Sequence, residues 1–260
     1  MLTVTLLAKI YNNSQLKFVD EFLRSTLKGL DVAISSVRVV PHRWVQVTVS
    51  GEDEKVALRY LADEIGLCPA SLDEIKRFSA VRGRIKAMNE NSDKLCVDIG
   101  AYMPESINVT IPVQRLQAQL LDGRKVALKE IAELYGFCEN LPLGIKISNV
   151  DVERKLIEAV VSEEQLILYG KWTKSLLDRL IILGASLAEI GSALRIARCN
   201  RDVINMEPFG LFEYAIVCKL GTDARGLIPK IGRSLRNASF TVFDPKKVLD
   251  FLGYSAGVIS

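Results

Sequence analysis

The sequence predicts an α+β protein built from three consecutive small units. Three observations carry that reading. The period of the apolar residues changes twice, from mixed strand and helix spacing, to two-residue alternation, and then to helix-rich spacing. With 260 residues the chain is longer than one average domain and long enough for several cores. Its 49% hydrophobic and 25% charged residues are ordinary for a folded protein and exclude a disordered or collagen-like chain.

Residues 1–78 form the first unit. Residues 2–11 read as a strand, and Asn13-Ser14 then opens a helix with Leu16, Val19, Phe22, Leu23 and Leu27 on one face, closed at Gly29. Residues 32–40 and 44–49 are β-rich runs joined by a turn at Pro41-His42-Arg43. Val56, Leu58, Leu61, Ala62 and Ile65 then return to helical spacing. The order β-α-β-β-α predicts a ferredoxin-like sandwich. On its third strand, Val45, Val47 and Val49 face the helices, leaving Trp44 and Gln46 on the other side with Arg38 of the preceding strand. That face suits a docking surface, so Trp44 and Arg38 are the candidate protein interface.

Residues 79–165 form the second unit, with strand alternation at residues 80–87, 95–99 and 107–111, a helical insert at 125–136, and further strands at 145–147 and 156–161. Five short strands with a helix between the third and fourth predict an OB barrel. Arg82, Arg84 and Lys86 fall on one face of its first strand, spaced to meet successive backbone phosphates. The plain alternative is a solvated strand face.

Residues 166–260 form the third unit, read as a helical hairpin (173–183 and 187–197) and a small α/β unit with strands at 203–206, 211–220 and 239–243 and a helix over 229–236. The glycine turn at residues 183–190 also fits a helix-turn-helix, although the second helix carries mostly core residues.

Net charge is only +3, so bulk charge names no partner, but residues 170–260 hold 13 basic against 8 acidic groups. Lys219, Arg225, Lys230, Arg233 and Arg236 concentrate there, around a Gly221-Thr222-Asp223 turn that could cradle an anion at a helix start. Five dispersed cysteines without a C-x-x-C and a single histidine, His42, supply neither a disulfide framework nor a metal-ligand set. No cofactor and no metal are expected. The opening residues lack signal-peptide character and no apolar run is long enough to span a bilayer, so a cytoplasmic protein without membrane contact is expected.

Residues 81–85, 95–100, 144–151 and 156–162 together resemble an S1-type RNA-binding OB domain. The whole chain is similar to an archaeal family of unknown function, through Phe209-Gly210-Leu211-Phe212-Glu213-Tyr214-Ala215 and Cys218-Lys219-Leu220-Gly221-Thr222-Asp223-Ala224. The order of its units resembles that of archaeal initiation factor two alpha subunits. The S1 resemblance implies RNA, ribosomal or messenger, as the partner. It departs from the S1 pattern where strands two and three offer Lys94, Cys96, Asp98, Asn108 and Thr110 in place of aromatics, with only Tyr102 nearby. RNA binding in the translation apparatus is therefore the expected function. A protein adaptor without RNA binding is the alternative, and an enzyme on a phosphorylated small molecule ranks third because no nucleophile and base pair up.

Overall fold

The computed structural model describes residues 1–89, 92–101, 108–151, 154 and 156–254. Its first unit comprises β1 (Leu2–Lys9), α1 (Ser14–Thr26), β2 (Val32–Val40), β3 (Trp44–Gly51) and α2 (Glu54–Glu64). The strands form an antiparallel sheet in the order β1-β3-β2. Strand alternation puts Leu6, Ala8, Val45, Val47 and Val49 on one face, where they pack with Val19, Leu23, Ala57 and Leu61 of the helices. In the other direction β1 meets, among the described residues, an isolated bridge, Leu6 to Leu67.

The middle unit comprises β4 (Ala80–Ile85), β5 (Lys94–Asp98), β6 (Asn108–Pro112), α3 (Val113–Leu120), α4 (Leu128–Tyr135), β7 (Pro142–Asp151) and β8 (Leu156–Val161). These strands close into a barrel in the order β4-β5-β6-β8-β7, with β6 and β8 parallel. This is an OB-like barrel with its helices between the third and fourth strands. The insert holds two helices where the sequence pattern showed one. The additional helix, α3, follows β6 without a break, its residues Val113, Leu116 and Leu120 turned to the core. α4 ends where Gly136 takes a left-handed φ of 67°.

The last unit corrects the helical-hairpin expectation. Helix α5 (Glu163–Ser175) starts earlier, capped by Ser162, and the expected helix over 173–183 is instead the end of α5 followed by β9 (Arg179–Leu183). All five β9 residues are buried and residues 180–183 are apolar on both faces, so the periodicity does not separate strand from helix. Next come α6 (Leu187–Ile196), β10 (Val203–Pro208), β11 (Glu213–Cys218), α7 (Ala224–Ile231), β12 (Ser239–Phe243) and α8 (Pro245–Leu252). A capping box of Ser186 and Glu189 fixes the start of α6. With β9 a strand, a helix-turn-helix cannot form. The helix expected over 229–236 is α7, which starts at Ala224 under an Asp223 cap and carries Pro229 in its interior.

The sheet order is β10-β11-β9-β12, antiparallel throughout. Element order β-α-β-β-α-β with this strand order is the split β-α-β connectivity. One sheet face, through Leu180, Ile182 and Ile216, packs on α6 and α7. Ile181, Leu183, Ala215 and Phe243, on the opposite face, join the barrel's own core. Among the described residues no helix is long and apolar enough to cross a membrane.

Candidate nucleic-acid interface

Strand β4 lies where the three units meet, and this decides the fate of the expected basic stripe. Arg82 is exposed and Lys86 half-buried, but Arg84 between them is only 1% exposed. Its Nη2 donates to Glu213 Oε2 of β11 at 3.0 Å and to the Leu7 carbonyl of β1 at 3.2 Å. Tyr11 Oη donates to the other Glu213 oxygen at 2.8 Å. Arg84 therefore latches three units together and is not available to nucleic acid. Gly210 is required beside it, because a Cβ there would lie 2.2 Å from Glu213 Oε2.

Trp44 is likewise buried within the chain and offers no surface to a partner protein. Its Nε1 donates to Asp98 Oδ2 at 3.0 Å, and Lys9 Nζ donates to the same oxygen at 3.0 Å while lying over the indole. Burial acts to raise the Asp98 pKa, but the charge of Lys9, the Gly100 N–H and the Trp44 N–H together hold it below the ordinary aspartate value. Gly100, at φ 74°, lets the barrel approach this closely, since a Cβ would meet Cys68 Sγ at 2.4 Å. The outer face of β5 is thus covered near Asp98 by the N-terminal unit. Nothing in the sequence pattern shows which outward polar residues will be covered by another unit.

Two grooves flank this junction. One, of about 1040 Å³, has the polar part of the first sheet as its floor (Thr3, Thr5, Gln46), with Arg38 and Arg82 on its walls. It brings together two residues expected in separate roles, but Asp63, Glu64 and Glu74 also line it. The other groove, of about 1160 Å³, runs between α4, the β4–β5 loop at Ala87, Met88 and Asn89, and the last unit at Arg225, Thr241, Lys247 and Phe251. It meets a further cavity of about 350 Å³ through shared Ala87 and Glu139. That cavity is lined by Lys9, His42, Arg43 and Lys86. The basic lining of these two adjoining cavities is Lys9, Arg43, Lys86, Lys129, Arg225 and Lys247, against Asp98, Glu130, Glu133 and Glu139. Asp98 is already matched by Lys9.

His42 and Arg43, with φ of 60° and 65°, stand at the groove's N-terminal end. Arg43 is clamped twice to Ile10, the residue after β1, its carbonyl accepting from Ile10 N and its Nε donating to Ile10 O. Neither residue was singled out as a binding residue from the sequence. Their turn was legible, but the barrel's approach to it was not.

Of the C-terminal basic residues, Arg225 lines the groove. Lys219, Lys230, Arg233 and Arg236 are exposed outside it, and Arg233 and Arg236 lie beyond the end of α7. The glycine turn before α7 is not an anion cradle. Asp223 Oδ1 accepts from Arg225 N and Asp178 Oδ2 from Ala224 N, so two carboxylates occupy the place an anion would take. Tyr102 lies outside the described residues. Among the described residues no group of three or more His, Cys, Asp or Glu side chains is placed to hold a metal ion.

No curated protein matches the chain in sequence. Among solved structures, a chain of the a/eIF2alpha-aDim2p-rRNA complex from Pyrococcus horikoshii OT3 is similar over 48% of this chain and 60% of its own length, with 9% identity and a TM-score of 0.26. The intact alpha subunit of aIF2 from Pyrococcus abyssi is similar over 64% of this chain and 97% of its own length, with 9% identity and a TM-score of 0.27. In sequence, the DUF2110 N-terminal, central and C-terminal domains match residues 3–71, 76–173 and 177–243 in turn, and the chain therefore belongs to the DUF2110 family.

Proposed function

We propose that the protein binds single-stranded RNA along the groove that runs from the His42-Arg43 turn past the β4–β5 loop to Arg225 and Lys247. The observation that carries this reading is the placement of the β4–β5 loop. OB barrels bind oligonucleotides with the loop between their first two strands, and here that loop forms one wall of a groove with basic side chains from all three units. Half-buried Met88 and Phe251 give bases an apolar surface beside the charges. The S1 resemblance favours RNA over DNA and a place in the translation apparatus. The first unit is read as ferredoxin-like, holding the barrel while its His42-Arg43 turn lines one end of the groove.

The test is the salt dependence of binding to mixed RNA and DNA oligomers. A Lys86→Ser/Arg225→Ser variant should reduce the magnitude of the log K against log salt slope by about 0.7 per lost contact. A Lys230→Ala/Arg233→Ala variant, outside the groove, should keep the parent's slope. The opposite pattern would move the site to the C-terminal surface, and no binding at all would end the RNA reading.

One observation favours the adaptor alternative. β10 is an edge strand, and Ile204 on it, Ile196 at the end of α6 and Leu220 after β11 are 56%, 73% and 74% exposed. An Ile204→Lys variant that loses a protein partner while keeping the RNA slope would assign that edge to protein.

A further inference from the structure

A smaller cavity, of about 270 Å³, lies on the other side of the Arg84 latch, between the barrel, α5 and the end of β10. Arg82, Leu168, Trp172, Glu207 and Phe209 are among its walls. It sits just below the ~300 Å³ lower bound of small-molecule pockets. There is room for one flat heterocycle, and any sugar or phosphate must stay at the mouth.

The polar group in this cavity is braced. Trp172 Nε1 donates to Glu207 Oε2 at 3.1 Å, and Arg179 Nε lies 3.5 Å from the same oxygen while its guanidinium covers the Trp172 ring at 4.9 Å. Glu207 Oε1 takes no hydrogen bond among the described residues. The carboxylate is thus fixed in place with one oxygen left to accept. Beside it the Phe209 ring stands 5.5 Å from Trp172, tilted by 42°, which gives the cavity an aromatic wall.

These features separate two ligand chemistries that aromatic cavities take. A quaternary or methylated ammonium needs uncompensated negative charge and aromatic faces. Here Arg179 already balances Glu207, and Arg82 stands exposed at the mouth, so a cation is repelled. A neutral planar ring with N–H donors, carrying an anion on its far side, gives the free Glu207 oxygen a donor and Arg82 a counter-charge. Splayed bases are recognised in this way, by stacking and by hydrogen bonds to their Watson–Crick edge. Guanine is the base that presents an imino and an amino N–H side by side, so both can converge on the one free Glu207 oxygen, Oε1.

We propose that this cavity binds the guanine base of a nucleotide, with Glu207 accepting from its Watson–Crick edge, Phe209 against its face and Arg82 meeting its phosphate. The proposal does not rest on the RNA groove. If RNA oligomers fail to bind while the mononucleotide binds, only the groove reading falls.

The test is calorimetric titration of the full chain with 5′-GMP, guanosine, 5′-AMP and choline. We expect 5′-GMP to bind at least tenfold tighter than 5′-AMP, and guanosine to fall between them. Glu207→Gln should cost at least tenfold for 5′-GMP, and Arg82→Ser should bring 5′-GMP down to the level of guanosine. Should Glu207→Gln fail to fold because Arg179 loses its partner, Leu168→Trp decides. That change fills the cavity from its half-buried wall, leaves Glu207, Trp172 and Arg179 in place, and should abolish binding. Equal binding of 5′-GMP and 5′-AMP, tighter binding of choline, undiminished binding by Leu168→Trp, or no binding of 5′-GMP by the folded parent would each overturn the proposal.

Discussion

The first and last units share a chain path and use it in opposite ways. In each, a helix follows the first strand and the third strand pairs beside it; the last unit adds β12 on the first strand's other edge, where in the first unit, among the described residues, β1 has the isolated Leu6 to Leu67 bridge. Both sheets turn one face to their own helices and the other toward the barrel. On the last unit that second face is mostly apolar and sealed around Phe243, which stacks on Tyr169 at 6.1 Å and stands edge-on to Trp172 at 5.2 Å, with Glu213 paired to Arg84 of the barrel farther along it. On the first unit only the half carrying Leu7, Lys9, Trp44 and Val40 docks, and it docks through a buried ion pair as well as apolar contact. The half carrying Thr3, Thr5, Gln46 and Arg38 faces a groove. The same connectivity therefore gives a core on one side and a surface on the other. The side chains on one sheet face make the difference.

The sharpest way to break this comparison is to open the sealed face. Phe243 is fully buried and touches Tyr135, Tyr169 and Trp172. Phe243→Ala should cost about 3–5 kcal/mol, from lost transfer energy plus a cavity that ring neighbours cannot collapse to fill. Urea denaturation should show a single shifted transition, because the face belongs to the barrel's core. Two separated transitions would show that the last unit folds independently of the barrel.

Much of the scaffold was legible in the sequence, because alternation and helical spacing report directly on which face is buried. The valines of β3, the five barrel strands and the strands at β10, β11 and β12 follow that rule. β9 did not, because its run over residues 180–183 is apolar and buried on both faces and has no alternation to mark its period. The site was less legible for a related reason. Arg82, Arg84 and Lys86 are equivalent in a pattern, and only the packing of β1 and β11 across the middle one makes Arg84 a structural ion pair. Glu207 gave no signal at all, since its role depends on Trp172 and Arg179 arriving from other elements.

The half-sealed face of the first unit offers a smaller test. Asp98 is held below the ordinary aspartate pKa of 3.8, so the unfolded chain binds more protons between that value and the lower folded one. The resulting stability is fully present above pH ~4 and is lost as pH falls through the folded pKa. Asp98→Asn removes the charge but keeps an oxygen for Lys9 and Trp44, and should cost about 1.5–3 kcal/mol at neutral pH. The difference from the parent should shrink below pH 4 in acid-unfolding curves. A cost independent of pH would mean that Asp98 contributes shape rather than charge, and the two docked faces would then differ less than their chemistry implies.

The open half should respond least. Thr5 is half-buried on β1, and its Oγ1 accepts from Gln46 Nε2 at a long 3.4 Å. Thr5→Val keeps the β-branched shape that the strand favours and removes only that contact, whose donor can turn to water in the groove. The change in stability should stay within about 0.5 kcal/mol, as for a surface position away from buried polar networks. A thermal or urea measurement giving more than about 1.5 kcal/mol would show the polar half to be as tightly engaged as Phe243's face. The groove beside Arg38 and Arg82 would then be a closed seam, and the contrast between the two sheets would lie only in how each is sealed.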